Sequence, residues 1–203
     1  MNDSSMIHNT ANLVRKLNLG CGNKKIQGFV NVDSNPACRP DLLVELDTGL
    51  SAFSDNSMDE IRAEHVLEHV GDLLLVLSEM YRVSKHGATW EISVPHYSYG
   101  FVHPFHKRGF CCHTFDWFFS KTSPENYGNL SLIVKAVRLN YMRSSSPFVR
   151  FIVFPVNLIA NLSKSFCERI WCYWVGGFEE IHFTIQVDKR PSLSEPTTRS
   201  HKE

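Results

Sequence analysis

Residues 16–22 read Lys-Leu-Asn-Leu-Gly-Cys-Gly (KLNLGCG), the strongest local indication of the fold in this chain. The first four residues predict a short strand, and Gly20 and Gly22 predict a tight turn directly after it. Glycines in such a turn let the backbone bend sharply and approach a ligand closely, where a Cβ atom would clash. The stretch therefore predicts a strand that ends at a ligand site.

The rest of the chain alternates further short apolar runs with one helical pattern. A helix is predicted over residues 66–85, with Gly87 as its left-handed cap. The other predicted strands are residues 29–32, 42–46, 59–63, 89–94, 131–141 and 178–187. This order predicts the α/β class, as a Rossmann-like three-layer sandwich whose mostly parallel sheet has an antiparallel terminal strand.

Composition narrows the class of protein. The 203 residues are 43% hydrophobic, and 21 basic residues balance 21 acidic ones, which argues against a nucleic-acid partner. The six cysteines lack paired spacing, so we interpret them as reduced thiols of a cytoplasmic protein. We expect a flexible lead-in over residues 1–14, a single domain over 15–188 and a disordered tail over 189–203.

Acidic residues follow the predicted strands. Asp33 ends the second strand, Asp47 the third, and Glu64 and His65 follow the fourth. The carboxyl ends of parallel strands meet at one sheet edge, where an aspartate can accept hydrogen bonds from ribose hydroxyls. The third glycine of the dinucleotide fingerprint is missing, because residues 23–25 read Asn-Lys-Lys. The pattern therefore favours a nucleoside without a pyrophosphate.

These segments, in this order, resemble the class I S-adenosylmethionine-dependent methyltransferases, of the small type common in bacterial glycan and cell-surface gene clusters. The matching segments are residues 17–22 (LNLGCG), 28–33 (GFVNVD), 55–61 (DNSMDEI), 64–69 (EHVLEH), 80–83 (MYRV) and 92–96 (ISVPH). The resemblance implies methyl transfer from S-adenosylmethionine to a small-molecule or glycan acceptor. The implied cofactor site comprises Gly20, Cys21 and Gly22 at the amino-acid end, Asp33 at the ribose, Leu46 and Asp47 at the adenine, and Glu64 and His65 at the methionine and sulfonium.

Histidines supply the candidates for catalysis. The resemblance makes residues 103–118 the wall of the acceptor pocket, and His96 and His106 are our candidate general bases for a hydroxyl acceptor. His65, Glu68 and His69 also match the H-x-x-E-H motif of inverted zinc peptidases, which leaves a zinc hydrolase as an alternative. A non-catalytic nucleoside-binding protein is another alternative. We predict no metal site, because the other histidine and cysteine spacings fit no standard zinc site.

An apolar stretch covers residues 147–175. Its core, residues 148–162, is too short to span a bilayer and is interrupted by Arg150, Pro155, Asn157 and Asn161. Two interpretations stay open. The stretch is either a helix lying on an anionic membrane, peripheral at the inner membrane, or an insertion packed on the sheet or in a homodimer interface.

Overall fold

The computed structural model describes residues 15–100, 103–116, 130–142, 146–174 and 176–189. Seven strands form one sheet: β1 (Lys16–Leu19), β2 (Val30–Asp33), β3 (Leu42–Leu43), β4 (Met58–Glu64), β5 (Ser84–Pro95), β6 (Leu132–Asn140) and β7 (Glu180–Val187). Their order is β3-β2-β1-β4-β5-β7-β6. The first five strands are parallel, and β7 runs antiparallel to both of its neighbours. The predicted Rossmann-like sheet with an antiparallel strand near its end is confirmed.

Helices and turns connect the strands. Within the described residues the helices are α1 (Leu73–Val83), α2 (Tyr97–Gly100), α3 (Pro147–Leu162), α4 (Lys164–Phe166) and α5 (Cys172–Trp174), with 3-10 turns at Pro36–Cys38 and Leu46–Thr48 and a π-helical turn at Cys167–Trp171. The predicted lead-in, most of the predicted tail and residues 117–118 of the predicted acceptor-pocket wall lie outside the described residues. All six cysteines carry free thiols, as expected.

The central strands carry apolar and polar side chains in alternation over residues 16–19, 60–64 and 88–94. Leu17, Ile61 and Trp90 are completely buried on one face, against the apolar side of α1. The opposite face carries polar side chains, among them Glu60 and Glu91. Parallel strands covered on both faces are usually continuous hydrophobic runs, so this alternation marks a sheet with one apolar and one polar face.

The link between β1 and β2 is short, and residues 20–29 form turns and coil instead of a helix. The buried side chain of Asn31 holds this link in place. Its Oδ1 accepts hydrogen bonds from Ile26 N at 2.7 Å and Asn18 Nδ2 at 2.9 Å. Its Nδ2 donates to the Ile26 and Phe29 carbonyls and to Asp41 Oδ2. Side-chain hydrogen bonds thus replace the packing that a crossover helix would supply.

The predicted helix over residues 66–85 was too long at its start. Residues 65–72 form turns, and α1 begins at Leu73 because the Asp72 side chain caps it by accepting from Leu75 N at 3.0 Å. The cap prediction for Gly87 was wrong, since α1 ends at Val83 and β5 begins at the next residue. Gly87 has φ +83° inside β5, between Ser84 and Thr89, where the β4–β5 register shifts.

Helix α3 packs against the sheet edge through its polar side. Asn161 pairs with the backbone N–H and C=O of Leu139 on β6, at 3.0 and 2.9 Å, and Asn157 Oδ1 accepts from Tyr141 N at 2.7 Å. Most of its large apolar side chains face away, with Phe148 72% and Phe151 79% exposed. Among the described residues, none of the helices is both long enough and apolar enough to cross a membrane.

Candidate functional site

A cavity of 610 Å³ opens at the carboxyl ends of β1, β2 and β4; we call it the edge cavity. Open α/β sheets bind ligands at this edge, and the volume is within the range of small-molecule sites. The predicted site residues that line it are Gly20, Gly22, Asp33, Leu46, Asp47 and His65. Sequence reasoning missed others on its wall, among them Val44, His69 and Lys107.

Asp33 joins the tips of β1 and β2 at the cavity wall. Its Oδ2 accepts from Gly22 N and its Oδ1 from Asn35 N, both at 2.8 Å. A carboxylate oxygen accepts more than one hydrogen bond, so both oxygens keep capacity for the hydroxyl groups of a ligand. A Cβ built on Gly22 meets no atom of the described residues within 4 Å, which leaves room beside this carboxylate.

Gly20 is required for a different reason. It has φ +59°, and a Cβ built there would lie 2.4 Å from Val66 Cγ2 and 2.7 Å from Val66 Cβ. Val66 itself lines the edge cavity. The glycine therefore lets the turn after β1 approach the segment after β4, which closes one side of the cavity.

Asp47 has a structural task at this site. Both of its carboxylate oxygens accept from Gly71 N, at 2.7 and 2.8 Å, and Oδ1 also accepts from Asp72 N. These backbone hydrogen bonds lower the pKa of Asp47, more than its slight burial raises it. Asp47, which was predicted to lie beside the adenine, therefore also stabilises the turn that precedes α1.

His65 lies directly after β4 in the left-handed region, with φ +52°. Its Nε2 lies 2.8 Å from Glu180 Oε1, and its Nδ1 lies 3.3 Å from Glu68 Oε1. Burial lowers the pKa of His65, but the two carboxylates outweigh burial and raise it to about 9. The ring is therefore an imidazolium at neutral pH, which makes it a positioned cation and a poor general base.

Cys21 and Glu64 point to the other side of the sheet. They line a separate pocket of 530 Å³ on the polar face of β1, β4 and β5. Glu64 forms an ion pair with Lys24 at 2.7 Å. Strand alternation explains this placement, because Glu64 shares its face with Glu60 on β4. Their predicted contact with the cofactor is not supported by the edge cavity.

The two candidate bases have different surroundings. His96 has no exposed surface, and its Nδ1 lies 2.6 Å from Ser98 Oγ. Its Nε2 lies 3.4 Å from Glu168 Oε1, a contact too poorly directed to count as a hydrogen bond. A base must reach its acceptor, so this burial argues against the prediction for His96. His106 keeps 12% of its side chain exposed and lies beside His69, but only His69 lines the edge cavity.

The H-x-x-E-H motif does not form a zinc-peptidase helix. Its residues lie in the turns before α1, so His65 and His69 share no helical face. His65 faces Glu68 and Glu180, whereas His69 faces His103 and His106. The centroid of the His69 ring lies 5.5 Å from that of His103 and 4.8 Å from that of His106. The structure therefore divides the motif between two environments.

Known proteins similar to this chain were found among protein families and solved structures. Residues 17–90 match the family model described as a methyltransferase domain. No match was found among the curated proteins. A SAM dependent methyltransferase from Archaeoglobus fulgidus has 15% identity and a TM-score of 0.55, over 90% of this chain and 92% of that one. The [4+2]-cyclase SpnF has 11% identity and a TM-score of 0.55, over 91% and 81%.

A third solved structure contains a cofactor. Phosphoethanolamine N-methyltransferase 2 of Haemonchus contortus, in complex with S-adenosyl-L-methionine, has 13% identity and a TM-score of 0.51, over 93% of this chain and 53% of that one. At such identities the likeness shows a common fold. A cyclase with the same fold also illustrates that an acceptor has to be argued from the site.

Proposed function

We propose that this chain is an S-adenosylmethionine-dependent methyltransferase whose acceptor is a hydroxyl group of a glycan or lipid-linked saccharide. The match of residues 17–90 to the methyltransferase domain model and the Rossmann-like sheet support the methyl-transfer activity. The observation that carries the assignment of the site is the edge cavity, with the Asp33 carboxylate on its wall. The acceptor class rests on family resemblance and on the exposed apolar side of α3.

The dimensions of the edge cavity support a small-molecule cofactor there. Its volume of 610 Å³ lies in the range of small-molecule sites, and Gly22 leaves open space next to Asp33. We assign Asp33 to the ribose hydroxyls, Gly20 and Gly22 to the amino-acid end, and Leu46 to the adenine, where its buried side chain offers an apolar contact. Asp47 supports this wall through the backbone of residues 71–72.

The cation His65 lies at the end of β4, on the side where the resemblance places the methionine. We assign it to this wall as a positioning residue, because both of its ring nitrogens already face carboxylates of the chain. Glu68 and Glu180 hold the ring in position from behind. Cys21 and Glu64, on the other face of the sheet, are left out of the cofactor site.

Methyl transfer depends more on the alignment of the methyl donor with the acceptor than on chemical activation of the donor. Bound S-adenosylmethionine supplies a methyl group on a positively charged sulfur, which is a good leaving group. The acceptor oxygen forms a bond to the methyl carbon as the carbon–sulfur bond breaks, the electron pair stays on sulfur, and the hydroxyl proton passes to a base or to water. The residues of the edge cavity contribute by fixing the donor and excluding water. His106 remains the predicted base, and its ring contacts that of His69, which lines the edge cavity.

The exposed apolar side of α3 supports an acceptor at a membrane. The polar residues Asn157 and Asn161 bind the sheet edge, so the apolar residues face outward, against the usual arrangement of a surface helix. The exposed apolar side chains are Phe148, Phe151, Ile152, Phe154, Leu158, Ile159 and Leu162. Exposed Arg150 and Arg169 flank them. We assign this surface to an anionic membrane, where an aliphatic–aromatic face and basic residues both bind.

Transfer of a labelled methyl group tests the function. Protein is incubated with methyl-labelled S-adenosylmethionine and a lipid-linked saccharide fraction, next to Asp33→Asn and to Asp41→Asn as a matched control. Asp41 also accepts hydrogen bonds from a backbone N–H, at Asn31, but lies away from the edge cavity. We expect label in the saccharide with the parent and the control and little with Asp33→Asn. Label in amines alone, or equal transfer by both variants, contradicts the proposal.

Sedimentation with vesicles tests the membrane surface. We expect binding to vesicles of phosphatidylglycerol and phosphatidylcholine, weaker binding to phosphatidylcholine alone, and loss of binding in Phe148→Ser/Phe151→Ser. Leu43→Ser is the matched control, since Leu43 is 58% exposed at the far edge of the sheet. A dimer that dissociates in the double variant, with no vesicle binding by the parent, would instead assign the surface to a second copy.

A further inference from the structure

Three histidines converge beside the edge cavity. His69 comes from the turn after β4, and His103 and His106 come from the loop after β5. One ring nitrogen of each lies within 4.8 Å of the others. The His103 and His106 rings are stacked at 4.9 Å, and the His69 ring meets both edge-on. Nothing in the proposed methyl transfer requires three imidazoles at one point.

The backbone holds these two segments together firmly. The Arg108 guanidinium donates to the carbonyls of Leu67, Val70 and Gly71, at 2.9, 2.8 and 2.9 Å. Lys107 N donates to the Glu68 carbonyl at 2.8 Å. The loop that carries two histidines is therefore fixed against the turn that carries the third, so the cluster is built by the fold.

The hydrogen bonds of His69 suit a metal ligand. Its Nδ1 lies 3.3 Å from the Phe105 carbonyl oxygen, which can only accept, so Nδ1 carries the proton and Nε2 keeps a lone pair. Metal-bound histidines usually donate their second ring N–H to a carbonyl or carboxylate in this way. His103 Nδ1 instead accepts a long 3.4 Å contact from Phe105 N, which has to break if Nε2 binds an ion.

A buried carboxylate lies behind the cluster. The Glu68 side chain is completely buried, and among the described residues neither of its oxygens has a hydrogen bond of good geometry. Its Oε1 lies 3.9 Å from His106 Nε2 and 3.3 Å from His65 Nδ1, close enough for charge attraction. A carboxylate in this place raises the basicity of a ligating histidine and offsets the charge of a cation.

We propose that His69, His103 and His106 bind one divalent first-row transition metal ion, for which Zn²⁺ is the probe, with Glu68 behind His106. Imidazole nitrogens suit Zn²⁺ and its neighbours in the series. Nitrogens on a tetrahedral Zn²⁺ are about 3.3 Å apart, as follows from Zn–N bonds of about 2.05 Å. Rotation of the partly exposed rings brings the three nitrogens from 4.8 Å or less to that spacing.

Three protein ligands leave a fourth position for water or an oxygen of the acceptor. His69 lines the edge cavity, so the ion would stand at its wall. A metal-bound imidazole nitrogen has no lone pair for a proton, so with the ion bound His106 acts as a ligand and not as the general base. Metal binding itself does not rest on the proposed acceptor.

Calorimetry of chelator-treated protein with Zn²⁺ tests the site, and the visible absorption of bound Co²⁺ gives a second readout. We expect one ion per chain, and affinity at least about 10-fold weaker in His103→Ala and His69→Ala. His103 is exposed, so its removal should leave the fold and the melting temperature unchanged. His113→Ala is the matched control, since His113 is exposed in the same loop region and pairs with Asp116 at 2.8 Å.

Binding of S-adenosylhomocysteine, measured in the same samples with chelator present, separates this inference from the proposed function. We expect it to persist without metal. Failure of that binding would count against the cofactor site alone. Absence of Zn²⁺ binding by the parent, or Zn²⁺ binding that His103→Ala and His69→Ala leave unchanged, would overturn the metal site.

Discussion

The substitutions Gly20→Ala and Gly22→Ala distinguish the energetic cost of a left-handed backbone conformation from the cost of a steric clash. Both glycines have positive φ, +59° and +48°. A left-handed conformation costs a residue with a Cβ roughly 1–2 kcal/mol. This is the whole expected cost of Gly22→Ala, because its new Cβ meets no atom within 4 Å in the part of the chain that the structure describes. In Gly20→Ala the new Cβ falls 2.4 Å from Val66 Cγ2, which adds an overpacking cost of roughly 1–3 kcal/mol.

Urea unfolding measures the difference. We expect Gly22→Ala to lose roughly 1–2 kcal/mol of unfolding free energy and Gly20→Ala roughly 2–5 kcal/mol. Val66→Ala removes the two Cγ atoms but leaves Cβ at 2.7 Å, so it should rescue Gly20→Ala only in part. Because Val66 lines the edge cavity, Gly20→Ala should also weaken S-adenosylhomocysteine binding. Equal loss of stability in the two alanine variants would refute the steric argument.

Three further changes probe the supports of the site. Asn31→Ala should lower the unfolding free energy by roughly 2–4 kcal/mol in urea, because it leaves several buried polar groups without partners. Arg108→Ala removes three hydrogen bonds to carbonyls and should speed proteolysis of the loop over residues 103–108. The pKa of His65, about 9, lies above its ordinary value, so its contribution of roughly 1–3 kcal/mol is complete below about pH 6.5 and is lost as the pH rises through 9. The stability of His65→Gln should lack this fall, and a parent protein whose stability did not decline between pH 7 and 10 relative to the variant would contradict the assignment.

The sequence predicts the sheet well because strand alternation is a local property. β1 has the predicted bounds, and β4 and β7 differ from theirs by only one or two residues. β3 is shorter than predicted, because Leu46 enters a 3-10 turn instead of continuing the strand. The start of α1 was misplaced since the apolar pattern continues back through Val66, while the cap at Asp72 sets the actual start.

The site is predicted in part, for reasons of geometry. Strand ends bring Gly20, Asp33 and Asp47 to one edge, which follows from parallel topology alone. Strand alternation, also readable in the sequence, could have placed Glu64 on the polar face. The contact between His69 and His106 could not be predicted from the sequence, because it depends on the hydrogen bonds between Arg108 and the turn before α1. The Asn31 network likewise depends on side chains distant in sequence.

Calorimetric titration with S-adenosylhomocysteine tests the central claim most directly. The parent and Asp41→Asn should bind one equivalent with micromolar affinity. Asp33→Asn should lose roughly 10- to 150-fold in affinity, since one charge-assisted hydrogen bond contributes roughly 1.5–3 kcal/mol. Binding by a folded parent that Asp33→Asn leaves unchanged, or no binding at all, would contradict the cofactor site proposed at the edge cavity.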